Sequence, residues 1–199
     1  MRPFSQACEN NKDPILAILR DTLAGVEQVL ELASGTGQHA RYFVEQMPTL
    51  RWQPTDLAQN LPGISAWCED FAGDRLLPPV ELDVSAADWG LPIPGALFSA
   101  NSLHIMPWSA VVALFAYLGA HAPAGNLLCI YGPFNYGGEY TSDSNARFDL
   151  WLAEQHPGGG IRDFEAVDDL ARQAGYELQA DNSMPANNRL LVWRRSVAG

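Results

Sequence analysis

Apolar and polar positions along this chain fall into short blocks that read alternately as strands and helices. Residues 26–33 predict a first strand, and residues 38–46 (QHARYFVEQ) predict a helix that stops at Pro48. A second strand follows at 50–55 and ends in Asp56, a helix covers 63–71, and a third strand at 80–82 ends in Asp83. The fourth strand, 96–100, runs into Asn101-Ser102, and an apolar helix begins at Trp108 and reaches about residue 122. Residues 126–131 are almost wholly apolar, as expected of a central strand buried on both faces. A helix capped by Asp163 spans about 164–174, and two closing strands lie near 176–182 and 189–194. Ahead of all these, residues 14–23 (PILAILRDTL) have helical period, with Asp13 as cap and Pro14 in the first turn.

Strands alternating with helices predict an α/β fold with a mostly parallel sheet covered on both faces. Ligands of such sheets bind outside the carboxyl ends of the strands. That rule gathers residues 34–37, Asp56, Asp83, residues 101–104 and residues 131–134 along one edge. Polar groups are common at any strand end, but five successive ends, the first four carrying Gly-x-Gly, Asp, Asp and Asn, are a stronger signal than any one of them.

At 199 residues the chain suits one domain, residues 1–199. A net charge of −11 without a Lys/Arg cluster argues against nucleic acid and anionic membrane as partners. The expected partners are a small-molecule substrate and, as one open arrangement, a second copy of the chain in a homodimer. Cys8, Cys68 and Cys129 are odd in number and form no CxxC pair, which fits a reducing, cytoplasmic setting and neither a disulfide framework nor a zinc site. No HExxH or other metal spacing occurs, so no metal is expected. The start of the chain lacks the apolar run of a signal peptide. The most apolar helix is shorter than the ~20 residues that span a bilayer.

The densest chemistry lies in VLELASGTGQHARYF, residues 29–43. A strand breaks into Ser34-Gly35-Thr36-Gly37 and a helix follows, the geometry that brings backbone close to a nucleotide-like ligand. Gly35-Thr36-Gly37-Gln38-His39-Ala40 satisfies the dinucleotide fingerprint G-x-G-x-x-A, and Asp56 stands where a ribose-binding acid is expected. Alone this permits NAD and an oxidoreductase. Glu31 inside the strand and Asp83 after the third strand point elsewhere: acids beside the turn suit a cationic ligand better than a pyrophosphate.

On Glu31-Leu32-Ala33-Ser34-Gly35-Thr36-Gly37, Asp56 and Asp83, the chain resembles the class I S-adenosylmethionine-dependent methyltransferases, whose first motif reads E/D-x-G-x-G-x-G; Ala33 stands where the first glycine is usual. It resembles still more closely the methyltransferase-like domain-of-unknown-function family 938. That likeness rests on Asn11-Lys12-Asp13-Pro14-Ile15, on Asn101-Ser102-Leu103-His104-Ile105 with Pro107-Trp108, and on Tyr131-Gly132-Pro133-Phe134. It extends to Ser144-Asn145 with Phe148-Asp149, to Gly160-Ile161-Arg162-Asp163, and to Met184-Pro185-Ala186-Asn187-Asn188. The resemblance implies a Rossmann-like, doubly wound, seven-stranded sheet with one antiparallel strand. It also implies S-adenosyl-L-methionine as cofactor, with Asp56 on the ribose hydroxyls and Asp83 on the adenine amino group. The implied cofactor set is Glu31, Ser34, Gly35, Gly37, Asp56, Asp83, Val84 and Asn101.

The resemblance supplies no substrate. Residues 132–163 form a long segment containing a helix-like stretch at 142–155 and a possible glycine hinge at 158–160, which reads either as a lid or as a surface excursion. Candidate substrate residues are Tyr131, Asp149, Arg162, Asn187 and Asn188. Asp149 and Arg162 read more simply as a salt bridge, and the two asparagines as a turn. His104 is the candidate base, expected to titrate near neutrality, or else a histidine packed beside Trp108. His39 is read as shaping the pocket. The expected function is methyl transfer to a small molecule; an NAD-dependent oxidoreductase, a non-catalytic S-adenosylmethionine-binding module and a methyltransferase acting on a basic protein are the alternatives.

Overall fold

A computed structural model describes residues 2–196. The chain divides into two compact units: the first runs to Asp83 and includes Trp89–Ser99, and the second comprises Val84–Asp88 and everything from Ala100 onward.

The first unit carries helix α1 (Gln6–Thr22), strand β1 (Gln28–Glu31), α2 (Gln38–Gln46), β2 (Arg51–Asp56), α3 (Leu61–Cys68), β3 (Val80–Glu81) and β4, which begins at Ala96 and ends at Ala100. β1 pairs in parallel with β2 on one side and β4 on the other, and β3 pairs in parallel with β2. Val29, Leu30 and Glu31 of β1 are all buried, because the strand lies inside the sheet. Phe43 of α2, Trp52 of β2 and Phe98 of β4 meet with ring centroids 5.5–5.7 Å apart. Such aromatic contacts contribute about 0.5–1.5 kcal/mol each beyond area burial.

Helix α1 corrects the sequence expectation. It begins at Gln6, capped by Ser5, whose hydroxyl accepts the Cys8 N–H at 3.4 Å, and Pro14 lies in its interior. A proline there removes one backbone hydrogen bond and ordinarily breaks a helix. Asn11, Ile15, Leu16 and Leu19 share one buried face, and that burial carries the helix through.

The second unit carries α4 (Trp108–His121), β5 (Leu127–Asn135), α5 (Asp143–Gln155), β6 (Arg162–Asp163), α6 (Phe164–Gln173), β7 (Tyr176–Met184) and β8 (Asn188–Arg195). β8 is antiparallel to both β5 and β7, so β7 runs in the direction of β5. Its register against β8 shifts between Leu178 and Ala180. β5 is longer than the apolar run predicted: residues 132–135 extend it, where the sequence had suggested the start of a loop. Gly132 and Pro133 face Arg189 and Asn188 of β8, and Phe134 and Asn135 face Arg162 and Asp163 of β6. Ser142 caps α5 by accepting the Asn145 N–H at 3.1 Å.

The fold class is therefore α/β with mostly parallel strands and one antiparallel strand, as expected, but among the described residues the short β6, paired with β5, adds an eighth strand to the seven expected. No helix among the described residues is long and apolar enough to cross a membrane.

Candidate functional site

The first unit builds its candidate residues around the turn after β1. Glu31 ends the strand fully buried, and its Oε2 accepts from Ser34 Oγ at 2.9 Å and Trp52 Nε1 at 3.0 Å. Burial pushes its carboxyl up to about 7, the nearby Asp56 charge adds to the rise, and the two hydrogen bonds oppose it. Ser34 is held in turn: its N–H donates to the Thr55 carbonyl at 2.9 Å and its hydroxyl accepts the Thr55 N–H at 3.1 Å.

Asp56, at the end of β2, closes the turn from the other side. Its Oδ2 accepts the Gly35 N–H at 2.7 Å, while Oδ1 accepts the Leu57 N–H at 2.7 Å and Asn60 Nδ2 at 2.8 Å. A carboxylate offers about four lone-pair sites, so three donors leave Asp56 one acceptor position.

The two glycines serve different ends. Gly35 has φ 61°, and a Cβ built on it would meet nothing within 4 Å, so its outer side is open. Gly37 has φ 89°, and a Cβ there would come within 3.0 Å of the Ile64 Cα: it is glycine so that α3 can pack against the start of α2. Ala33 adopts φ 53°, a left-handed conformation at the position where the methyltransferase motif has glycine. Asp83 follows β3 exposed, and Val84 is buried. His39 lies buried, stacked on Phe43 with its Nε2 2.7 Å from Asn11 Oδ1, and burial lowers it to about 4. That places it in the packing between α1 and α2.

In the second unit, Asn101 also has a left-handed backbone (φ 54°), and its N–H donates to the Tyr131 carbonyl at 2.8 Å. His104 is buried, edge-on to Phe148 with ring centroids 5.5 Å apart. Burial, reinforced by the charges of Arg162 and His156, lowers it to about 4 rather than leaving it near neutrality. At neutral pH the imidazole is uncharged and a weak base.

The salt bridge expected between Asp149 and Arg162 is absent among the described residues. Asp149 accepts the Ile161 N–H at 2.5 Å and the Tyr140 hydroxyl at 2.7 Å. Arg162 instead gathers backbone carbonyls: Nε donates to Leu103 at 3.0 Å, and one terminal nitrogen donates to Met106 and to Gly158, the latter at 2.9 Å. Its guanidinium also lies over the Trp108 ring, 5.6 Å from the centroid. Tyr131 is buried in β5. Asn187 has φ 56° in the short 3₁₀ turn Pro185–Asn187, the turn role that sequence allowed. Asn188 begins β8 opposite Pro133, and its amide donates to the Pro185 carbonyl at 3.3 Å. This turn therefore lies at the carboxyl end of β5.

Sequence reasoning missed Trp52, Thr55 and Asn60, which complete the networks of Glu31 and Asp56. The available signal was indirect: an acid inside a buried strand must find donors, and β2 offers an indole and a hydroxyl.

Solved structures share the fold. An O-methyltransferase family protein from Burkholderia thailandensis matches with a TM-score of 0.82 at 18% identity, over 94% of this chain and 57% of that one. Human N-acetylserotonin methyltransferase in complex with SAM matches with a TM-score of 0.74 at 14% identity, over 96% and 58%. An O-methyltransferase family 2 protein from Planctomyces limnophilus, in complex with apigenin, matches with a TM-score of 0.74 at 17% identity, over 92% and 61%. The chain thus spans less than two thirds of the length of these proteins. Over residues 2–195 it matches the family described as "Protein of unknown function (DUF938)", and it belongs to that family.

Proposed function

We propose that this chain is an S-adenosylmethionine-dependent methyltransferase acting on a small molecule. The observation that carries the reading is Asp56. It is a buried carboxylate at the end of β2, pinned against the Gly35 N–H with one acceptor position left over, beside a glycine whose outer side is open. A ribose hydroxyl suits that position. A pyrophosphate does not: the Gly35 N–H that would hold it already donates to Asp56, and Glu31 and Asp56 are both acidic. This chemistry favours a cationic sulfonium ligand over NAD.

Bound there, S-adenosylmethionine would supply a methyl carbon on a positively charged sulfur. In this reading Gly35 and Gly37 shape the turn, Asp56 holds the ribose, Asp83 takes the adenine amino group, and Glu31 and Ser34 fix the turn's inner side. Asp149 and Arg162 move from substrate binding to holding residues 103–162 together, because both Asp149 oxygens and the Arg162 Nε and one terminal nitrogen are engaged within the segment. His104, uncharged at neutral pH, positions by packing rather than removing a proton.

Calorimetric titration with S-adenosylmethionine, S-adenosylhomocysteine and NAD tests the reading; binding of NAD alone would overturn it. Asp56→Ala should cost about 1.5–3 kcal/mol of cofactor affinity, roughly 10- to 150-fold. Unchanged affinity in a folded variant would remove Asp56 from the site.

A further inference from the structure

Among the described residues, Asn135 stands out as a buried polar group left unpaired. It closes β5, is 8% exposed, and its Oδ1 has no hydrogen-bond partner. An unpaired buried acceptor costs free energy, and folded proteins nearly always satisfy such groups.

The side chain is not adrift. The preceding Phe134 is fully buried. The following Tyr136 stacks on Phe164 with ring centroids 5.2 Å apart and donates its hydroxyl to Asp181 at 2.8 Å. The backbone of Asn135 pairs with Asp163. The backbone that carries the carboxamide is thus held on both sides at the carboxyl end of a strand, where α/β sheets bind ligands. By strand alternation it shares a face of β5 with Tyr131.

We infer that Asn135 is a specificity-determining residue whose free carbonyl oxygen accepts a hydrogen bond from an N–H or O–H group of the methyl acceptor. The inference rests on the methyltransferase reading. It assigns the substrate class: a molecule that presents a hydrogen-bond donor to the end of β5. A site built to accept a donor rejects analogues lacking it, because the oxygen then stays buried and unpaired.

The test separates the inference from the reading it rests on. Asn135→Leu removes the unpaired oxygen and keeps the volume. Its melting temperature should equal or exceed that of the wild type, and calorimetry should show unchanged affinity for S-adenosylhomocysteine. Failure of both proteins to bind S-adenosylhomocysteine would count against the reading itself.

The matched probes are phenol and aniline, each with a donor, against anisole and N,N-dimethylaniline, which have none. Titrated into the wild-type protein saturated with S-adenosylhomocysteine, phenol or aniline should shift the Asn135 side-chain amide resonances, and their methylated partners should not. In Asn135→Leu the affinity for the donor probe should fall roughly tenfold, about 1.4 kcal/mol. If Asn135→Leu melts well below the wild type and binds the probes unchanged, Asn135 is structural and the inference falls. It falls equally if the donor-free probes bind as well as the donors, or if none of the four shifts the resonances because an ordered water alone satisfies Oδ1.

Discussion

Glu31 in the first unit and His104 in the second are titratable groups of opposite kind that burial drives to the same end. The carboxyl rises to about 7 and the imidazole falls to about 4, so each is pushed toward its neutral form. Their surroundings differ. Glu31 has an indole and a hydroxyl on one oxygen, which favour the charged form and hold the rise in check. His104 sits against the Phe148 ring, with the Arg162 and His156 charges adding to the fall. A buried acid with donors still titrates near neutral pH, whereas a buried histidine beside Arg162 is uncharged there. At neutral pH His104 is therefore a poor proton acceptor for methyl transfer.

The largest test of this contrast is the pH dependence of stability. Glu31 binds its proton more tightly folded than unfolded, so its contribution is fully present below about pH 4.5 and is lost as pH rises to about 7. His104 has the opposite sign: its contribution is present above about pH 6.5 and is lost as pH falls to about 4. Glu31→Gln should match the wild type at pH 4.5 and exceed it by roughly 3 kcal/mol at pH 8, measured by urea unfolding. A constant difference across that range would mean that the carboxyl is not held neutral.

A smaller effect should come from Arg162→Ala, which strips the donor from three backbone carbonyls. We expect a loss of about 2 kcal/mol, with Arg162→Lys a poor rescue because one ammonium cannot reproduce the planar fork. If the variant keeps its stability and only its apparent substrate affinity drops, Arg162 is a substrate clamp after all. The smallest effect concerns the first unit's turn. Ala33→Gly relieves a left-handed alanine at φ 53° and should stabilise by about 0.5–1 kcal/mol, after the entropy cost of glycine is subtracted. A destabilised variant would show that the Ala33 methyl is needed for packing.

Legibility in the sequence follows the distance over which each feature is decided. Helix α2 spans the predicted residues 38–46, and β4 the predicted 96–100, because local pattern and flanking turns set them. The start of α1 was missed: Pro14 suggests a first turn, while the burial that extends the helix comes from elsewhere in the fold. In the site, spacing alone placed Gly35 in the turn and Asp56 at the next strand end, but not the hydrogen bond that joins them. The Arg162 carbonyl contacts reach back 56 and 59 residues, and no local pattern announces them. The unpaired oxygen of Asn135 is equally silent in sequence, since only three-dimensional neighbours can reveal that none is a donor.

Strand β7 bears on how the chain behaves at high concentration. Among the described residues it pairs with β8 alone, which makes it an edge strand, the kind that can recruit an extended segment of another molecule. Its register shift between Leu178 and Ala180 interrupts the straight run such recruitment needs, and the neighbouring Glu177 is exposed. Two copies meeting in parallel register through β7 would bring their Glu177 carboxylates together across an irregular seam. That edge is built against fibrous self-assembly.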